Sequence, residues 1–310
     1  METEELIENL QSKAVVSFKH ILLATDFSDV SQTALAYASA TAKVHGSKLS
    51  VVHVLTPEPR SFIPMDPLPV AGQDERERAE QSMREYIAST SLEGVEHEEV
   101  LVTGAIWTAL DSFIHERGID LLVLGTHGRE GLRKLILGSI AEELFRLARC
   151  PVLMVGPGVN ARGANRPLKT VLFATDFKPA SLNALPYAIS ITRKHNARLI
   201  LLHLLPIRVG VGIGPYWTPD AAAADVEDSV RLEGLERLRR LIPADLNLAH
   251  APELKVTYDF LPDGILKYDA DMIVMGVNHT ASPRAAAHLP WVAAHEVIGN
   301  ARSPVLTVSD

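Results

Sequence analysis

Three glycines and a serine, Gly125, Gly128, Gly138 and Ser139, are spaced as Gly-x2-Gly-x9-Gly-Ser between two apolar stretches. That arrangement can hold a phosphate. Glycine lets an anion approach the backbone, and the free N–H groups and dipole of a helix start favour negative charge. Arg129, Arg133 and Lys134 lie in the same stretch, where they could balance phosphate charge or stand solvated. The apolar run 121–124 ended by Gly125 predicts a buried strand of a parallel sheet. Ser139 and Glu142 make the Ser-x-x-Glu capping pattern. Ile140, Leu144 and Leu147 follow at helical spacing, so Ser139 reads as the N-cap of a helix.

The 310 residues are enough for two domains, each with its own core. A hydrophobic share of 47% with 22% charged residues is that of a globular chain. The net charge of -8 argues against nonspecific binding to nucleic acid or an anionic membrane. The acidic start does not read as a signal peptide, and no apolar run approaches the length of a membrane span. With one cysteine, Cys150, no intrachain disulfide is possible, and a cytoplasmic location is expected.

The chain matches itself. His20-Ile-Leu-Leu-Ala-Thr-Asp-Phe returns 150 residues on as Thr170-Val-Leu-Phe-Ala-Thr-Asp-Phe, and 48–55 returns as 198–205. Ala148-Arg-Cys-Pro-Val-Leu-Met-Val returns as Ala301-Arg-Ser-Pro-Val-Leu-Thr-Val. A duplicated domain follows. Alternating apolar strands and helical patterns imply βαβ units around parallel sheets, an α/β class of two tandem doubly wound domains. Strands are expected near 18–24, 48–55, 97–103, 120–125 and 151–156, with helices near 30–45, 75–91, 105–117 and 139–149. In the second half strands are expected near 169–175, 198–205, 254–260, 271–276 and 304–308. The connection 261–270 has little room for a helix like that at 105–117. Residues 1–16 read as an extension, 17–157 as the first domain, 158–168 as a linker and 169–310 as the second domain. Prolines between 57 and 69 mark a strand-end loop that could act as a lid.

The glycine spacing, behind a first strand ending Ala24-Thr25-Asp26 and a second ending His53-Val54, resembles the universal stress protein family. The whole chain resembles a tandem form of it. That resemblance implies five-stranded parallel sheets in the order 3-2-1-4-5, with ATP, possibly accompanied by Mg²⁺, in the crevice where strand order reverses. Carried over by position, Asp26 and Val54 would face adenine and ribose, and Ala24 and Thr25 would line that pocket. Leu124 and Gly125 would lie along the ribose, while Gly128, Gly138, Ser139 and Ile140 would hold phosphates, with Arg129 nearby. Read without the resemblance, the glycines serve tight turns and helix–strand packing, and Asp26 an Asx-turn. The resemblance also implies pairing through the fifth strands, with a homodimer of chains as a plausible higher assembly.

The second half departs from the pattern. Gly276 remains, but His279 stands three residues later, and Trp291-Val292 aligns with Gly138-Ser139. No ATP site of this kind is expected there. Gly210 and its neighbours lack a full dinucleotide fingerprint, and His279, His288 and His295 lack metal-ligand spacing. His53 and His203 recur at equivalent strand ends, which points to a repeated structural hydrogen bond. No phosphate-transfer lysine loop or nucleophile elbow is present, so binding is favoured over turnover. The alternatives are a nucleotide-free scaffold for a protein partner, and a slow ATPase or nucleotidyl-transfer enzyme using Asp26 with Mg²⁺.

Overall fold

A computed structural model describes residues 16–56, 71–126, 139–207, 221–243, 246–277 and 289–309. Residues 1–15 of the expected extension, the proline-rich loop, and Gly128, Arg129, Arg133, Lys134 and Gly138 lie outside these residues, as do Gly210, His279 and His288. The chain divides into two compact units. One takes in 17–167 with 298–306, and the other 168–297 with the chain ends.

In the first unit the strands are β1 (His20–Ala24), β2 (Lys48–Leu55), β3 (His97–Thr103), β4 (Leu121–Gly125) and β5 (Val152–Val155). They pair in parallel in the order β3-β2-β1-β4-β5. Strand order reverses beside β1, where Ala24 stands opposite both Val52 and Leu124. Ile21, Leu22 and Leu23 have no solvent exposure, as continuous apolar runs require when helices cover both faces of a sheet.

Those helices are α1 (Asp29–His45), α2 (Ala71–Ala88), α3 (Ile106–Arg117) and α4 (Ser139–Leu147). Ser28 caps α1 by accepting the Ser31 N–H, and Gly46 closes it at φ 67°, a conformation glycine adopts without strain. The expected linker is folded. Residues 161–163 make a 3-10 turn capped by Asn160, and the Tyr37 hydroxyl of α1 donates to the Asn160 carbonyl at 3.2 Å. Val159 and Ala164 are buried beneath it.

The second half of the sequence repeats the plan with β6 (Thr170–Ala174), β7 (Arg198–Leu205), β8 (Glu253–Tyr258), β9 (Met272–Val277) and β10 (Val305–Ser309), in the order β8-β7-β6-β9-β10. The counterpart of α1 is broken into α5 (Pro179–Leu182) and α6 (Leu185–His195), with Pro186 in the first turn of α6, where its missing N–H costs nothing. Then come α7 (Ala221–Arg240), the one-turn α8 (Asp263–Leu266) in the short 261–270 connection, and α9 (Leu289–Asn300).

Candidate functional site

The carboxyl ends of β1, β2 and β4 converge at the strand-order reversal of the first unit, where an open α/β sheet offers its crevice. The chain leaves β1 through Thr25, Asp26, Phe27 and Ser28. The Thr25 hydroxyl accepts the Phe27 N–H at 2.9 Å and lies 3.0 Å from the Ser31 hydroxyl. Asp26 Oδ1 accepts the backbone N–H of Ser28 at 3.1 Å and its hydroxyl at 2.7 Å. This Asx-turn holds Asp26 half-buried at the crevice and forces Phe27 to φ 63°, a left-handed conformation unusual for a bulky residue.

Phe27 is held by its neighbours. Its ring centroid lies 4.4 Å from that of His53 and 5.5 Å, edge-on, from that of Tyr86. His53 Nδ1 donates to the Thr25 carbonyl at 2.7 Å, which is the structural bond its recurrence predicted. The Tyr86 hydroxyl reaches from α2 to the Ser31 carbonyl at 2.5 Å, and burial pushes its pKa up to about 12. Sequence reading passed over Phe27, Ser28, Ser31 and Tyr86. The repetition of Phe27 as Phe177 was the signal that could have found the first of them.

Of the expected contacts, Ala24 closes β1, Val54 lies half-buried on β2 opposite Val102, and Leu124 is buried in β4. The Thr25 side chain is engaged in the turn. Gly125 is required by packing: a Cβ there would stand 3.0 Å from Ser31 N, 3.1 Å from Ser31 Cα and 3.2 Å from the Val30 carbonyl carbon. The first turn of α1 therefore presses on the end of β4. Helix α4 is described from Ser139 on, and Gly138 lies outside the described residues. Ile140 follows with 46% of its surface exposed. The two described edges of the expected phosphate loop, 126 and 139, thus bound the crevice side of β4 and a helix N-terminus.

The second unit keeps the turn and changes its surroundings. The Thr175 and Ser181 hydroxyls lie 2.9 Å apart, Phe177 sits at φ 63°, and His203 Nδ1 donates to the Thr175 carbonyl at 2.8 Å. Where the first turn has Ser28, this one has Lys178, whose ammonium pairs with Asp176 Oδ2 at 3.2 Å. Burial pushes the Asp176 carboxyl up, but hydrogen bonds from Ser181 and Lys178 outweigh it and leave the group below its usual range. Arg237 of α7 lies over the Phe177 ring at 4.0 Å, in the role Tyr86 plays for Phe27. Burial first, and then the Arg237 charge, hold His203 below the usual imidazole range. Trp291 and Val292, which align with Gly138 and Ser139, lie within helix α9. Among the described residues no group of three His, Cys, Asp or Glu side chains is placed to hold a metal ion.

The description "Universal stress protein family" matches residues 17–156 and again 167–309. The chain belongs to the universal stress protein family. It carries two copies of the family's domain. Each copy is the size of a whole relative: a universal stress protein of Thermus aquaticus is 38% identical over 140 residues, spanning 44% of this chain and 98% of its own. A Methanocaldococcus jannaschii family member is 30% identical over 149 residues, or 44% of this chain and 82% of its own. Among solved structures, a universal stress protein of Archaeoglobus fulgidus aligns with 94% of this chain and 98% of its own at a TM-score of 0.63 and 18% identity. That likeness shows the tandem fold.

Proposed function

We propose that the first domain binds an adenine nucleotide, ATP in the first instance, and that the chain acts in the cytoplasm as a nucleotide-dependent regulator of a stress response. The observation that carries this reading is the convergence at one strand-order reversal of Asp26, Val54 and the end of β4 at Gly125, with the Gly128–Gly138 connection leading into a helix that starts at Ser139. The residues fit the group. Asp26 is a carboxylate oriented by two hydrogen bonds from Ser28 and suited to a sugar hydroxyl, and a helix start near Ser139 would offer N–H groups suited to phosphate. Gly128, Arg129, Gly138 and Ser139 supply the remaining donors, and Mg²⁺ would enter with the phosphates.

Nucleotide occupancy would bias whichever conformation orders this connection, which gives the ligand a differential affinity to work through. A protein partner that reads that conformation is part of the proposal. The second domain is assigned no ATP, because its carboxylate is paired with Lys178 and Trp291-Val292 stand at the positions of Gly138-Ser139.

Calorimetry of the full chain with ATP and Mg²⁺ tests the reading. One equivalent per chain is expected, lost in Asp26→Ala and weakened in Gly138→Val. Two equivalents would overturn the assignment of the second domain. No binding, with no nucleotide released from denatured protein, would leave the scaffold reading in its place.

A further inference from the structure

At the opposite, amino end of the first sheet, three side chains compete for too few protons. His20 on β1 lies with Nδ1 3.1 Å from the Arg117 carbonyl at the end of α3, and with Nε2 2.7 Å from the hydroxyl of Ser50 on β2. The same Ser50 hydroxyl lies 2.7 Å from Glu98 Oε1 on β3. Ser50 has no solvent exposure, and the His20 side chain is 14% exposed, so water does not readily replace a missing bond.

A carbonyl and a carboxylate can only accept, so the Arg117 contact needs a proton on Nδ1, the Glu98 contact needs the Ser50 proton, and the contact between Nε2 and Ser50 needs a third. With His20 neutral, the ring and Ser50 carry two protons between them, and in either tautomer one of the three contacts has none. With His20 protonated, every contact is a bond: Nδ1 donates to Arg117, Nε2 to Ser50, and Ser50 to Glu98. The Ser50 hydroxyl, against the cost of burial, and then Lys48 and Arg117 hold the Glu98 carboxyl below its usual range, which keeps it an acceptor.

We propose that His20, Ser50 and Glu98 form a proton-operated brace that ties β1, β2, β3 and the end of α3 together when His20 is protonated and slackens when it is not. The charges facing the site are balanced. Lys48 at 3.0 Å and Arg117 at 3.6 Å from Glu98 oppose an added proton, but their side chains are 30% and 48% exposed and are screened. Glu98 Oε1 itself stands 4.0 Å from His20 Nε2. The Asp120 carboxylate, which accepts the backbone N–H of Lys19 at 2.7 Å and of His20 at 3.1 Å, adds a second negative charge at the start of β1.

The second domain lacks the device and serves as its control. Thr170 replaces His20, Ile200 replaces Ser50, and the permanently charged Arg198 donates to Thr170 Oγ1 at 2.9 Å and pairs with Glu253 at 3.4 Å. Asp271 repeats the backbone bonds of Asp120, to Lys169 at 2.8 Å and Thr170 at 2.9 Å. Only the first domain should loosen as pH rises.

Hydrogen exchange of the full chain, followed by mass spectrometry at about pH 5.5 and about pH 8 and corrected for intrinsic rates, tests this. Protection of 18–24, 48–55 and 97–103 should fall about tenfold more than that of 169–175, 198–205 and 253–258, the worth of one charge-assisted bond. His20→Gln should lose this difference. Glu98→Gln should lose it too while staying protected at the higher pH, because its amide can donate to Ser50 and free the serine proton for neutral His20. Equal changes in both domains, or a pH response that survives Glu98→Gln, would overturn the proposal.

Discussion

Gly125→Ala and Gly276→Ala separate packing from ligand contact, because the two glycines stand at the same place in the repeat but in different degrees of crowding. At Gly125 the added carbon would meet backbone atoms at 3.0 to 3.2 Å, a few tenths of an ångström inside ordinary contact. The first turn of α1 would have to retreat by that amount, and overpacking of this kind costs about 1–3 kcal/mol. At Gly276 the added carbon would stand 1.9 Å from the Ala180 carbonyl oxygen and 2.3 Å from Ser181 Cα. No rotamer relieves a clash with backbone. Helix α5 would have to move by more than an ångström, at a cost comparable with the whole stability of a domain, about 5–15 kcal/mol. Urea unfolding should therefore show a weakened but folded first domain in Gly125→Ala and a second domain that fails to fold in Gly276→Ala. If Gly276→Ala folds with near-native stability, the close approach of α5 to β9 is wrong. ATP affinity of folded Gly125→Ala adds a second reading: a loss no larger than the strain explains assigns the glycine to packing, and a complete loss at native-like stability assigns it to the ligand.

Alkaline pH should loosen the first domain through Tyr86, whose pKa is raised by burial from 10.0 to about 12. Between those values the unfolded chain gives up a proton that the folded one keeps, so stability falls as pH rises past about 10, by about 3 kcal/mol in all. Tyr86→Phe should flatten that limb at a cost of about 1 kcal/mol at neutral pH, from the lost bond to the Ser31 carbonyl; an unchanged alkaline slope in urea titrations would refute the assignment. Burial also pushes the Cys150 thiol from 9.0 to about 12, so it should resist alkylation in native protein at neutral pH and react on unfolding. Rapid native labelling would show that β4 and β5 open there.

Much of the fold was legible because its signals are local. The strands at 48–55, 97–103 and 198–205 coincide with their apolar runs, and the brevity of 261–270 left room for only the single turn of α8. The packing reasons were not legible. Nothing in the text of the chain says that Gly125 faces the first turn of α1, or that Tyr86, sixty residues beyond Asp26, closes over Phe27, because those contacts exist only once β1, β2 and the helices are assembled. Residue Lys178 carried no pattern at all, and it acquires meaning only by standing where Ser28 stands.

The turn after the first strand survives in both halves down to the same left-handed phenylalanine and the same histidine bond, although the second half has replaced what surrounds it. Its Thr-Asp-Phe is thus maintained by folding whether or not a ligand is present. The aspartate alone therefore does not tell the two halves apart; its neighbour does, a serine that bonds it at Ser28 and a lysine that neutralises it at Lys178.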